Sequence, residues 1–319
     1  MLEEQTKLCA KQNAYQMILQ LARKFKAEGL CQTAEDFYKQ AIVIARHLPQ
    51  PQPSILLESL YELANYLSFQ GKEEQAESLW DEIKSHSSVL TQSSNPIYIQ
   101  TIFHLAQLYE KQNQIEKAQS LYKELLHIQE LDFGDESIEI CPTLDYLAAF
   151  YCRQKNYSLA EGLYLRILVI KEFHLGTCSV EINYTVNSLI DIFQKLSKWR
   201  LAEYMLNRQK AILVALHGEE SLCVASCALR LADLQATYGN QLDKAIENLS
   251  FAVGVYQNRF GDQAAPVILL QKKLDQMLLK CLENQAAQLT TQTPITIELP
   301  SISTAQVKAV YPTPALVAV

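Results

Sequence analysis

Eight cysteines and six histidines are the residues of this 319-residue chain best suited to metal or nucleophilic chemistry. Thiolates and imidazoles bind zinc in clusters, and C-x-x-C pairs serve zinc and redox sites. The sequence contains no C-x-x-C pair, and its closest cysteines, Cys223 and Cys227, lie four residues apart on one predicted helical face. Two ligands alone make a poor metal site. We therefore interpret the cysteines as small buried thiols of a reduced protein, and we predict no metal site.

Two short motifs resemble catalytic signatures but lack the partners that catalysis requires. Asp132-Phe133-Gly134 matches a kinase triplet, yet no H-R-D sequence and no glycine-rich loop accompany it. Gly71-Lys72 is followed by a glutamate and lacks the earlier glycine of a phosphate-binding loop. Five of the six histidines fall near predicted helix ends, where a donor or a cation suits the helix dipole. We predict that the protein is not an enzyme and needs no cofactor.

Composition and charge indicate a folded protein built mainly from helices. The hydrophobic fraction is 49%, and only 9 glycines and 10 prolines are available for turns. The net charge of −7 argues against a general nucleic-acid binder, which normally carries a basic face. No apolar run is long enough to span a membrane, and the acidic N-terminus does not resemble a signal peptide. We expect a cytoplasmic location.

A pattern with a 42-residue period runs through most of the chain. Its first half is a Leu-Ala pair, and its second half is an alanine that is usually followed by glutamate. The repeat leucines are Leu21, Leu63, Leu105, Leu147 and Leu189, each 42 residues after the last; alanine follows the first four, and Ile190 replaces it after Leu189. The second-half alanines are Ala34, Ala76, Ala118, Ala160 and Ala202. A single active site does not need such a pattern, but a stack of similar structural units does.

The spacing of apolar residues predicts two helices in each unit. A left-handed turn residue separates them, at Gly29, Gly71, Asn113, Lys155-Asn156 and Ser197. In the sixth unit Ala245 is one residue late, which predicts an extra residue in the turn 239–242. Residues 1–13 form a polar lead-in, residues 14–283 the repeat array with a final capping helix near 263–283, and residues 284–319 a flexible tail.

These positions resemble the tetratricopeptide repeat (TPR). Its first-helix small residue corresponds to the alanines after the repeat leucines, and its second-helix aromatic residue corresponds to Tyr38, Trp80, Tyr122 and Tyr164. The ordinary period is 34 residues. The 42-residue period and the Gly-acidic phrase between repeats, as in Gly134-Asp135, are similar to the kinesin light chain subgroup, which is widespread in bacteria. The family's helix-ending proline is missing, and units five and six are degenerate.

The resemblance implies an all-α fold, a right-handed superhelical α-solenoid of about six helix-turn-helix repeats with a C-terminal capping helix. It implies a non-catalytic scaffold that binds an extended peptide or a partner domain in a concave groove lined by the first helices. The alternative is a self-associating structural protein that uses the degenerate repeats five and six or the tail. The sequence does not identify the partner.

Counting from each repeat leucine, positions two and five residues away on either side should face the groove. The candidate groove residues are Arg23, Lys26, Tyr61, Asn65, Phe103, Gln107, Asp145, Tyr184, Asn187, Asp191 and Asp233. Tyr61, Phe103 and Tyr184 are possible aromatic anchors, while the amides could bind a peptide backbone. Tyr61 and Phe103 could equally pack against neighbouring first helices. Basic residues in unit one and acidic residues from Asp145 to Asp233 predict that the acidic part of a bound peptide lies towards unit one.

Overall fold

A computed structural model describes residues 2–48, 53–86, 95–239 and 241–292. These ranges are almost entirely helical and contain no β-strand. They divide into two compact units, residues 1–147 and 148–319, and the division falls inside one helix. Most of the predicted tail, residues 293–319, lies outside the described residues.

The first unit contains six complete helices and the start of a seventh. They are α1 (Leu2–Ala27), α2 (Cys31–Arg46), α3 (Pro53–Phe69), α4 (Glu73–Ser85), α5 (Pro96–Lys111), α6 (Ile115–Phe133) and α7 (Cys141–Arg153). A short 3-10 turn, Ile138–Ile140, precedes α7. Each helix from α1 to α5 packs on the next in chain order, which is the pattern expected of repeats that contact only their neighbours.

The second unit continues the same arrangement. Its further helices are α8 (Tyr157–Leu175), α9 (Val180–Lys195), α10 (Trp199–His217), α11 (Leu222–Leu234), α12 (Leu242–Phe260) and α13 (Ala265–Gln292). Again each helix from α8 onwards packs on the next. The predicted all-α, helix-turn-helix repeat is therefore confirmed in both units.

The repeated alanines are fully buried in the repeats. Ala22, Ala64 and Ala106 on the first helices have no exposed surface, and the second-helix alanines Ala34 and Ala76 are equally buried. A larger side chain at these sites would push the two helices apart. The second-helix rings of Tyr38, Trp80 and Tyr122 are also fully buried and fill the space behind the alanines. Neither helix could bury its apolar face alone.

The turn between the two helices of a repeat has a left-handed residue in each of the first five repeats. Glycine occupies this position in the first two, with φ of +76° at Gly29 and +77° at Gly71. Asn113, Lys155 and Ser197 follow at 42-residue intervals, with φ between 57° and 60°. In the fourth repeat the left-handed residue is Lys155 and not Asn156, and Lys155 is the residue that lies 42 positions after Asn113.

Glutamates that follow the second-helix alanines accept hydrogen bonds from the turn of the next repeat. Glu35 accepts hydrogen bonds from Lys39 on its own helix and from Lys72 at the turn of the second repeat. Glu161 accepts both of its bonds from Lys198, 37 residues later. The recurrence of Ala-Glu in the sequence thus has a packing explanation, because the carboxylate holds the following turn in place.

The ends of the array differ from the sequence-based boundaries. Helix α1 begins at Leu2, so residues 2–13 belong to the first helix and are not a separate lead-in. The apolar spacing did not predict this because the sequence of residues 2–13 is mostly polar. Helix α13 begins at Ala265 and extends to Gln292, past the predicted end at residue 283. No helix among the described residues is both long enough and apolar enough to cross a membrane.

The sixth repeat accommodates its extra residue inside a helix. Gln235–Gly239 form a π-helical turn at the end of α11, and the Gln241 amide donates to the Gln235 carbonyl at 3.2 Å. A π-turn inserts one residue without breaking the helix, so the one-residue shift of Ala245 is accounted for. The predicted insertion is present, but it lies a few residues before the position expected.

Candidate functional site on the first helices

Six of the eleven candidate groove residues contact one particular position in the next repeat. That position is the residue directly before the repeat leucine. In the first unit it is occupied by Glu62, His104 and Tyr146, and in the second unit by Ser188, Arg230 and, before Leu274 of α13, Lys273. Since the first helices of successive repeats lie side by side, this residue points at the preceding repeat.

Arg23 on α1 forms ion pairs with two carboxylates of α3. Its guanidinium lies 2.7 Å from Glu62 and 3.2 Å from Glu58. Hydrogen bonds and charge from these glutamates raise the pKa of Arg23, against the opposing effect of burial. The side chains are partly exposed, so the pairs contribute little to stability, but they neutralise the positive charge expected here. Lys26, one turn further along α1, lies over the Tyr66 ring, 5.9 Å from its centre.

Tyr61 on α3 reaches the imidazole of His104 on α5. The Tyr61 hydroxyl and His104 Nε2 are 3.3 Å apart, and the two rings lie 6.0 Å apart between centres. Burial raises the pKa of Tyr61, and a hydrogen bond from Asn65 works against that rise. Burial lowers the pKa of His104, and a hydrogen bond to Gln107 opposes this shift. The two predicted amides therefore border this tyrosine–histidine contact.

Phe103 on α5 packs against Tyr146 on α7, with ring centres 4.4 Å apart. It also lies edge-on to the buried Tyr122 ring, and His104 stacks on the buried Trp80. We use the name aromatic surface for the side chains of Tyr61, Asn65, Phe103, His104, Gln107 and Tyr146. Tyr146 is 45% exposed, and the other five are half-buried. Tyr61 and Phe103 thus contact neighbouring first helices, and both remain partly accessible at the surface.

In the second unit the same register is filled by charged groups. Arg230 on α11 donates to Asn187 at 2.5 Å and to Asp191 at 2.9 Å, both on α9. Lys273 on α13 is paired with Asp233 on α11. These contacts occupy three of the predicted peptide-binding side chains. Arg230 and Lys273 also neutralise the negative charge of Asp191 and Asp233. The predicted orientation of a bound peptide, with its acidic part towards unit one, therefore no longer has support from charge.

Two candidates have a different environment. Tyr184 on α9 is 69% exposed and is the most accessible of the predicted aromatic anchors. Asp145 on α7 is half-buried and has interactions of its own.

The contact position itself was missed by the sequence analysis. Counting outward by two and five residues selected the helix face but skipped the residue one before the leucine. The signal was available, because Arg23 and Glu62 are 39 residues apart and Asp191 and Arg230 are also 39 apart. Adjacent first helices in this register bring together residues whose separation is three less than the repeat length. Opposite charges at that spacing therefore indicate a contact between repeats. Tyr61 and His104, like Phe103 and Tyr146, are 43 apart, the repeat length plus one.

The groups suited to chemistry are dispersed. No cluster of three or more metal-ligating side chains occurs among the described residues. The expectation of buried cysteines is wrong for Cys31, Cys178 and Cys223, which are exposed, while Cys141 and Cys227 are buried as expected. Burial raises the pKa of Cys227 to about 11, so its thiol is protonated and unreactive at neutral pH.

Comparison with known proteins supports the fold. No protein-family model and no curated protein matches the sequence. Among solved structures, BtubC (BKLC) from P. vanneervenii aligns with a TM-score of 0.52 at 21% identity, covering 74% of this chain and 94% of that one. A kinesin-light-chain protein from Podosopora anserina with nearly identical TPR-like repeats gives 0.51 at 19% identity, covering 66% and 99%. The tetratricopeptide sensor protein of the STAND class from Pyrococcus horikoshii gives 0.52 at 12% identity, covering 88% and 45%.

Proposed function

We propose that the protein is a non-catalytic interaction scaffold that binds an extended segment of a partner protein along the first helices. The TPR-like fold is established by the repeat structure and by its structural neighbours, and such repeats present long helical surfaces for protein binding. The partner, the cytoplasmic location and the lack of catalysis remain predictions.

The observation that carries the proposal is the composition of the aromatic surface. Aromatic side chains supply a large apolar area at low entropy cost and are enriched where proteins bind one another. Here Tyr61, Phe103 and Tyr146 come from three successive first helices and remain partly exposed. His104 contacts both Tyr61 and Phe103, and Phe103 contacts Tyr146, so the rings are already held in position and ordering them on binding costs little entropy. Asn65 and Gln107 border them with amide groups suited to a peptide backbone.

The proposed peptide therefore carries apolar or aromatic side chains that pack on this surface. Its charge is left open, because Arg23 is neutralised by Glu58 and Glu62. Tyr184 in the second unit is a separate anchor candidate. The alternative, self-association through repeats five and six or through the tail, involves different residues and is distinguished by the same experiment.

Site-specific photocrosslinking tests the proposal even though the partner is unidentified. A benzophenone amino acid is placed at Tyr146, and at Tyr204 as the matched control. Tyr204 is an exposed tyrosine of similar accessibility on the second helix α10. In native lysate we expect a discrete crosslinked partner from position 146 and none from position 204. Crosslinks from 204 alone, or crosslinks only to the protein itself, would contradict the proposal.

Once the crosslinked partner is identified, its binding to purified variants gives a quantitative test. Tyr61→Ala together with Asn65→Ala should weaken binding at least about tenfold, because an anchor and a backbone contact are lost. Unchanged affinity would exclude the aromatic surface as the binding site. Circular dichroism of the double variant shows whether the helices remain intact.

A further inference from the structure

The turns of the fourth, fifth and sixth repeats lie side by side along one edge of the second unit. Glu161, near the start of α8, accepts hydrogen bonds from Lys198 in the turn of the fifth repeat at 2.7 Å and 2.6 Å. The Trp199 ring, at the start of α10, stacks on Tyr238 of the sixth repeat, with ring centres 3.6 Å apart and ring planes within 5° of parallel. These contacts join each turn to the next, so the side chains of all three turns share this edge.

The stack of Trp199 on Tyr238 replaces an ion pair of the first unit. Glu73 and Lys111 occupy the corresponding positions there, 38 residues apart in the sequence, and their charged groups are 3.5 Å apart. Trp199 and Tyr238 are 39 residues apart because the π-helical turn Gln235–Gly239 adds one residue. Since an ion pair can join two turns, the repeat does not require two rings here, and Tyr238 is 53% exposed.

The charge of this edge is opposite to that of the whole chain, which is −7. Residues 153–159 and 195–201, which contain the turns of the fourth and fifth repeats, include five basic residues and no acidic one. The segments in the same repeat phase in the first unit are 27–33, 69–75 and 111–117, and together they include three basic and four acidic residues. Lys155, Lys195 and Arg200 are exposed and have no ionic or hydrogen-bonding partner among the described residues, so their charge is open to a ligand.

Exposed leucines and further rings accompany these basic residues. Leu159 and Leu201 occupy the same repeat position and are 47% and 45% exposed. An aromatic residue stands two positions before each of them, at Tyr157 and at Trp199, and both rings are half-buried. In the first unit the leucine position is taken by Thr33, Gln75 and Lys117. The repeat therefore does not need an apolar side chain there. We call residues 153–159 and 195–201, together with Tyr238, the basic turn edge.

We propose that the basic turn edge binds the surface of an anionic membrane. Tryptophan and tyrosine rings favour the headgroup level of a bilayer, because one end of each ring is apolar and the other is polar. Lysine and arginine side chains next to that level are attracted by anionic lipids, and exposed leucines add apolar area that the interface can cover. Trp199, Tyr238, Leu159 and Leu201 would enter the headgroup layer while Lys195 and Arg200 meet the lipid phosphates.

Single-stranded nucleic acid is the other polyanion that basic residues and rings commonly bind. The exposed leucines favour the membrane, because bases stack on rings and phosphates pair with cations, while neither requires an aliphatic side chain. A bilayer interface takes up basic, aromatic and aliphatic groups together. The basic turn edge lies in the second unit and the aromatic surface in the first, so this proposal does not rest on the proposed peptide-binding function.

Co-sedimentation of the full chain with lipid vesicles tests the proposal. The vesicles contain phosphatidylcholine alone, or phosphatidylcholine with about 30% phosphatidylglycerol, in about 50 mM and about 500 mM NaCl. We expect the protein to sediment with the anionic vesicles at low salt, and much less with them at high salt or with neutral vesicles, because salt screens the attraction between exposed charges.

Charge reversal locates the binding surface. Lys195→Glu together with Arg200→Glu should lower the partition coefficient on anionic vesicles at least about tenfold. The matched control is Lys111→Glu together with Lys117→Glu, which makes the same change in net charge in the turn of the third repeat, where both lysines are exposed. That variant should bind like the natural sequence. Circular dichroism of both variants shows whether the helices remain intact.

Two further measurements separate a membrane from a soluble polyanion. Leu159→Ser together with Leu201→Ser should weaken vesicle binding at least about threefold, because apolar area that the interface covers is lost. Of the two tryptophans, Trp80 is 1% exposed, so a blue shift of the emission on adding anionic vesicles reports that Trp199 has left water. The proposal is overturned if the chain does not sediment with anionic vesicles, if both charge-reversal variants lose binding equally, if the leucine variant binds unchanged, or if a single-stranded oligonucleotide binds where vesicles do not.

Discussion

Glu35 illustrates how a single side chain joins two repeats. It is 3% exposed and accepts hydrogen bonds from Lys39 at 2.6 Å and from Lys72 at 2.5 Å. These bonds, that of Lys39 first, lower the pKa of its carboxyl from the ordinary value of 4.5. The lysines are partly exposed, so the interaction is weaker than a fully buried ion pair.

We expect Glu35→Gln to lower the free energy of unfolding by about 1–2 kcal/mol at neutral pH, since hydrogen bonds to a charged acceptor are lost. Because the folded-state pKa is depressed, the stabilisation is fully present above pH 4.5 and is lost as the pH falls through the folded value. Urea unfolding at about pH 7 and about pH 4 should therefore show a smaller difference between variant and natural sequence at the lower pH. Asp36→Asn, one residue along and exposed, is the control. A difference that is independent of pH would show that Glu35 acts by packing alone.

His104 gives a pH dependence of the same sign as Glu35, but in a higher pH range. Burial beside Trp80 and Phe103 disfavours the imidazolium and lowers the pKa of His104 below 6.5. The unfolded chain then binds more protons than the folded one near pH 6, so stability is fully present above 6.5 and decreases as the pH falls below it. NMR titration of the His104 ring should give a midpoint below 6.5. A midpoint at or above that value would contradict the burial argument.

At the scale of the helix, the turn residues show what the sequence could and could not predict. The 42-residue phase located the left-handed position at Gly29, Gly71 and Asn113, and the structure confirms all three. In the fourth repeat the residue type favoured Asn156 while the phase favoured Lys155, and the phase was correct. Packing of the paired helices fixes the turn geometry, and the side chain at the turn adapts to it.

This leads to a prediction for the fifth repeat. Ser197 holds a φ of +57°, a conformation that is unfavourable for any residue with a Cβ atom. We expect Ser197→Gly to raise the free energy of unfolding by about 0.5–1 kcal/mol. The turn hydrogen bonds from Ser197 and Lys198 to Gln194 and Phe193 should be kept, because they involve only backbone atoms.

The reverse exchange in the second repeat is the matched control. Gly71 has a φ of +77° and open space around the position of a Cβ atom, so Gly71→Ser introduces conformational strain without a clash. It should destabilise the protein by a similar amount, as measured by thermal unfolding. If both variants changed stability in the same direction, backbone conformation would not be the cause.

At the scale of the whole molecule, the sequence predicted the repeat fold well and the site less well. The fold follows from small residues and rings that recur in phase, such as Ala64 with Trp80, and packing needs only their type and spacing. The site depends on side chains that meet between repeats, such as Asn187 with Arg230. Those contacts depend on the axial offset between neighbouring first helices, and the pattern within a single repeat does not specify that offset.

A core substitution in a repeat array is expected to lower stability locally, whereas one in a globular core lowers the stability of the whole domain. Tyr122 is 1% exposed and its ring contacts Phe103, so Tyr122→Ala should cost about 3–5 kcal/mol through the cavity that it leaves. Stability in such an array is close to a sum over repeats and their interfaces, so the loss should fall mainly on α5 and α6 and decline with distance along the chain. Hydrogen exchange should therefore show faster exchange in α5 and α6 while α11 and α12 keep their protection. Equal acceleration in all helices would mean that the chain unfolds as one cooperative unit, and the description by independent repeats would then fail.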